Sequence, residues 1–148
     1  MKLSIMVLLA IATVTCFSSA SYAQVTVKRA GIIFETGDDD KDQDSRLQIS
    51  IADEQNAVFG TYNLLESAGI FNDHSTRTFT LQLSKHPLKK ALKKGHLFLS
   101  YLPSGTDQWK FKCTIVIDWS DGTESKQTFE NLQLKDKQKL DLVFDKLK

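Results

Sequence analysis

The sequence predicts an all-β fold, an antiparallel β-sandwich of about eight strands. Three observations carry that expectation. Apolar and polar residues alternate with a period of two in run after run, turn residues separate the runs, and no long stretch carries a helical repeat. Short strands of this kind, each with one face on a core, build two packed sheets.

The chain opens differently. Lys2 precedes an apolar stretch from Leu3 to Val14, and Ser21-Tyr22-Ala23 supplies a small-x-small cleavage site. Residues 1–23 therefore read as a signal peptide, and 24–148 as a single β-sandwich domain that is secreted or periplasmic. The apolar stretch is shorter than the ~20 residues a spanning helix needs. No transmembrane segment is expected after cleavage. Cys16 leaves with the leader, so Cys113 is the one thiol of the mature chain and no internal disulfide is possible. It sits in an alternating apolar run and reads as an inert core residue.

The mature domain has 125 residues, enough to bury a core without staples. Only Lys2 among the charged residues belongs to the leader, leaving 18 basic and 18 acidic residues. That balance gives no indication of a global field for nucleic acid or for a membrane, and no nucleic-acid partner is expected. The charge is segregated locally instead.

The first strand is expected over 26–36. It ends at Gly37-Asp38-Asp39-Asp40-Lys41-Asp42-Gln43-Asp44-Ser45, where five aspartates fall within seven positions. So many carboxylates repel unless something positive sits among them. A hard cation with six to eight oxygen ligands is the expected partner, and in an exported protein that cation is calcium. The loop is not an EF-hand, since Ile49 stands at the twelfth position from Asp38 and Gln43 at the sixth. The same loop without an ion would be a solvated acidic turn.

Leu47, Ile49 and Ile51 alternate next, followed by a candidate strand at 57–62 and a helical turn over 63–69. Phe79, Leu81 and Leu83 read as one strand. Lys85 to His96 carries five lysines and two histidines. Leu88 and Leu92 are spaced for one face of a short helix that Gly95 would end. Lys89, Lys90, Lys93 and Lys94 are candidates for an anionic partner, against the plainer reading of a solvated connection. Leu97, Leu99 and Tyr101 form a strand that stops at Pro103-Ser104-Gly105. Trp109, Phe111, Cys113, Ile115, Ile117 and Trp119 form the longest run. Trp109 is a further candidate partner contact, since an exposed aromatic at a loop stacks on a sugar ring; otherwise it plugs the core. Asp121-Gly122 marks a hairpin into a strand at 125–134, and Leu140, Leu142 and Phe144 close the chain. Asp107, Asp118 and Asp121 lie in turns that would join the aspartate loop in one site if all share an end of the sandwich.

Ile33-Phe34-Glu35-Thr36-Gly37-Asp38, the acidic loop and Arg46 to Ile51 together resemble the opening of a PLAT/LH2-type domain. Gly105-Thr106-Asp107-Gln108-Trp109 is similar to that family's second acidic loop. The resemblance spans most of residues 26–123. The family's Ala-Gly-Thr is replaced here by Asp42-Gln43-Asp44-Ser45. The resemblance implies a C2-like sandwich holding calcium between loops, with Asp38, Asp40, Asp42, Asp44 and Asp107 as ligands. It implies binding of a lipid, glycan or protein partner rather than catalysis. No histidine has metal-ligand spacing, and no Gly-x-Ser-x-Gly elbow or phosphate loop occurs. The expected function is a calcium-binding, non-enzymatic module. The alternative is a metal-free structural subunit of the cell envelope.

Overall fold

The computed structural model describes residues 23–42, 45–64, 69–102, 108–135 and 137–147. Among the described residues nine strands form: β1 Val27–Thr36, β2 Arg46–Ala52, β3 Val58–Leu64, β4 Thr76–Thr80, β5 Gln82–Leu83, β6 Gly95–Leu102, β7 Trp109–Trp119, β8 Glu124–Leu134 and β9 Lys139–Phe144. They make two antiparallel sheets, ordered β4-β1-β7-β8 and β5-β3-β2-β6-β9. The predicted all-β sandwich is what folds.

The period of two explains the packing. Along β7, Trp109, Phe111, Cys113, Ile115, Ile117 and Trp119 are all buried, and the residues between them are not. Ala30, Ile32 and Phe34 of β1 join them from the neighbouring strand. Leu47, Ile49 and Ile51 of β2 face them from the other sheet, with Leu97, Leu99 and Tyr101 of β6.

Three expectations change. The run around Phe79, Leu81 and Leu83 is two strands. β4 pairs with β1 in one sheet and β5 with β3 in the other. The chain crosses between sheets at Leu81, which is buried and donates its N–H to Ala30 O at 2.9 Å. Alternation continues through the corner, so the pattern reads as unbroken. The short helix over 85–95 shrinks to one 3-10 turn, Lys89–Leu92, and Gly95 begins β6 instead of ending a helix. Of the helical turn expected over 63–69, residues 63 and 64 belong to β3, and 65–68 lie outside the described residues.

Antiparallel pairing assigns the loops to two ends. Thr36 of β1 pairs with Phe111, and Val27 pairs with Trp119. The aspartate loop and the start of β7 therefore share one end. The lysine segment and the 120–123 hairpin share the other, since Thr26 bridges to Leu88 and Ser120 N donates to Thr26 O at 2.8 Å.

Candidate functional site

The acidic end is built on an aromatic floor. Phe34, Phe71, Trp109 and Phe111 contact one another, with ring centroids 4.0–6.5 Å apart. Trp109 is fully buried and donates its Nε1–H to Thr36 Oγ1 at 3.2 Å. Its burial removes it from the candidate partner surface. The alternating pattern demanded an inward side chain there, and the core took it.

The aspartate loop lies across this floor. Gly37 N donates to Lys110 O at 2.7 Å, and Lys110 N donates to Asp39 O at 3.1 Å. Lys41 and Phe71 exchange backbone hydrogen bonds at 3.2 and 2.9 Å. That pairing turns the Lys41 side chain inward. It is 0% exposed, with Nζ 5.3 Å from the centroid of the Phe71 ring. The ammonium donates to Asp42 O at 2.8 Å. Asp39 Oδ2 accepts from Lys110 Nζ at 2.5 Å and from Gln108 Nε2 at 2.8 Å. The Lys110 hydrogen bond, then that of Gln108, holds the Asp39 carboxyl below the ordinary carboxylate range.

The other predicted ligands are spread out. Asp38 is exposed and sits 3.6 Å from His74 Nε2. Asp40 is half-buried and Asp42 exposed. Asp44 and Asp107 lie outside the described residues. Asp118 and Asp121 are at the opposite end, which corrects the expectation that three acidic turns meet. Asp118 Oδ2 accepts from Arg29 Nε at 2.6 Å. Asp121 Oδ1 accepts from Thr123 N and Oγ1 and closes the hairpin. Among the described residues no three His, Cys, Asp or Glu side chains converge as metal ligands. The described carboxylates of the implied set, Asp38, Asp40 and Asp42, do not fit a calcium site as they stand: they do not converge as ligands, and the Lys41 ammonium is seated on Asp42 O.

Lys41, Lys110 and Asp39 were not singled out from the sequence. The signal for Lys41 was present. The repulsion argument required a positive charge among the aspartates, and the chain places one there covalently.

The basic end is organised around the lysine segment. Pro87 O accepts from Val27 N at 2.9 Å, Lys89 N donates to Val25 O at 2.8 Å, and Leu92 is buried. These ties hold the 3-10 turn flat on the end of the sandwich. Lys89 Nζ lies 5.0 Å from the Trp119 ring centroid and donates to Thr123 Oγ1 at 3.2 Å. Lys90, Lys93 and Lys94 are exposed. Among the described residues these three enter no ion pair. The structure thus keeps the four predicted lysines on one segment at the end opposite the aspartate loop.

No protein-family model and no curated protein matches the sequence. Among solved structures the chain is similar to one described as alpha toxin from Clostridium absonum, with a TM-score of 0.58 at 14% identity. The match covers 86% of this chain but 34% of that one, so this chain spans about a third of the toxin's length. At that identity the likeness speaks to architecture, and it supports a C2-like, two-sheet β-sandwich.

Proposed function

We propose that the chain is an exported, non-catalytic binding module that docks through its basic end on anionic lipid headgroups. The observation that carries this reading is the set of exposed lysines on the 87–94 segment, Lys90, Lys93 and Lys94, beside Lys89. Among the described residues Lys90, Lys93 and Lys94 enter no ion pair, whereas the aspartate loop has Lys110 paired with Asp39 and Lys41 within it. Each lysine near an anionic surface contributes about 1 kcal/mol. Four give roughly a thousandfold preference over a neutral surface, enough for reversible attachment. No helix among the described residues is long and apolar enough to cross a membrane. The C2-like architecture is compatible with a module that works through one end of a rigid sandwich. The non-catalytic part rests on chemistry. Burial pushes the Cys113 thiol up to about 12, which leaves it protonated and unreactive. Two of the three histidines have structural partners, His86 on Val27 O and His96 on Asp141.

The docking surface and the aspartate loop are at opposite ends, so attachment does not depend on calcium ligation by Asp38, Asp40 or Asp42. Co-sedimentation with vesicles tests the reading. Vesicles containing phosphatidylserine should bind the chain at low salt, and pure phosphatidylcholine should not. Half-molar salt should release it, because exposed charges are screened. The triple variant Lys90→Glu, Lys93→Glu, Lys94→Glu should stay in the supernatant. Equal binding to neutral vesicles, or unchanged binding by the triple variant, would defeat the proposal. Retention by an acidic glycan but not by vesicles would move the partner to that class.

A further inference from the structure

A lysine with no exposure is an unusual thing to find in a run of aspartates. Taking an ammonium out of water is costly unless its surroundings return the lost interactions. Lys41 has those surroundings. Its Nζ donates to Asp42 O at 2.8 Å and stands over the Phe71 ring at 5.3 Å. Its backbone exchanges two hydrogen bonds with Phe71, which fixes where the stem enters. Around it the loop is pinned through Asp39 O to Lys110 N and through Gly37 N to Lys110 O. The Asp39 side chain is held by Lys110 and Gln108. A buried positive charge at this place repels a second cation and offers the loop's oxygens an internal partner.

We infer that Lys41 is the acidic loop's own cation: its ammonium holds the segment from Gly37 to Asp42 in shape where the resemblance implies a divalent metal, and that segment is therefore formed without an added ion. This inference is independent of the docking proposal, which concerns the other end.

The test uses the chain from Gln24 and reads thermal unfolding in chelator and in millimolar calcium, with calorimetric titration of calcium. The melting temperature of the unaltered chain should be the same in both buffers, and calcium should give no binding heat. Lys41→Met keeps the apolar stem and removes the charge. It should lower the melting temperature by about 10 °C or more in both buffers, since breaking a buried charged contact is among the costlier changes. Lys112→Met, which removes a half-buried lysine paired with Glu35 at 3.0 Å, should shift it by no more than about 2 °C. A calcium-induced rise of several degrees in the unaltered chain would overturn the inference, because a ligand that binds only the native state stabilises it. So would a Lys41→Met chain that melts with the unaltered one. The calcium response of the unaltered chain decides the matter even if Lys41→Met does not fold. Neither result bears on vesicle binding by the basic end.

Discussion

Lys41 and Asp39 stand two residues apart, yet their settings differ completely. Lys41 is enclosed, while Asp39 faces solvent and pairs with Lys110 across the loop. An aspartate run read from sequence gives five equivalent carboxylates. Folding made them unequal, because each backbone tie turns one side chain toward β7 and leaves another outside. That is why the aspartate loop was legible as a special segment and its charge pairing was not: pairing with Lys110 depends on a register some seventy residues away. The pair has a pH signature. Asp39 is lowered and Lys110 is raised from its ordinary value, chiefly by their mutual hydrogen bond. A carboxylate lowered on folding contributes stability above its unfolded value and loses it as pH falls through the folded value. A raised lysine contributes stability below its unfolded value and loses it as pH rises through the folded one. The contribution is thus complete between about pH 4 and about pH 10. Asp39→Asn should melt below the unaltered chain across that window, and the gap should close at more acid pH. A gap that persists at about pH 2 would mean that the asparagine harms packing rather than charge.

At the scale of elements, alternation located the strands well because each strand has one buried face. It failed where a strand changes sheets, at Leu81, and where small residues do tertiary work. Gly95 is the clearest case. Following Lys93-Lys94, it looked like a helix terminator. In the fold it is the buried first residue of β6, beside Phe144 and Ala52. A Cβ there would run into the Phe144 ring and come within 2.7 Å of Ala52 O. Backbone oxygen cannot swing aside as a flexible side chain can. Gly95→Ala should therefore cost about 1–3 kcal/mol, the range for overpacking a close-packed site. A fall of roughly 5–10 °C in melting temperature is expected, and no change would show that the β6–β9 edge opens to admit a methyl group. Gly122 behaves as its motif promised: at φ 84 it closes the β7–β8 hairpin, with open space around it. Local turn chemistry was readable because it depends on neighbours in sequence. The role of Gly95 depends on Phe144, almost fifty residues on.

For the whole molecule, a small net charge conceals a local segregation set by the antiparallel register: the aspartate loop lies at one end and the lysines of 85–94 at the other. The same register fixes where the domain has to begin. Val25 O accepts from Lys89 N at 2.8 Å, Thr26 N donates to Ser120 Oγ at 3.0 Å, and Thr26 O accepts from Ser120 N at 2.8 Å. Val27 is 1% exposed. Ala23 and Gln24 are exposed. Among the described residues the first tied to the sandwich is thus Val25, two places beyond the expected cleavage after Ala23. A chain starting at Gln24 keeps every one of these ties, and should melt cooperatively in one transition. A chain starting at Lys28 loses these three ties, the hydrogen bonds of Val27 to Pro87 and His86, and the Val27 side chain, whose burial alone is worth about 1.5–3 kcal/mol. Its melting temperature should fall by about 10 °C. Those ties also hold Pro87 and Lys89 in place, so the shorter chain should bind anionic vesicles less tightly even below its melting point. Equal stability for the two chains would place the domain boundary inside β1 and separate the basic segment from the sandwich.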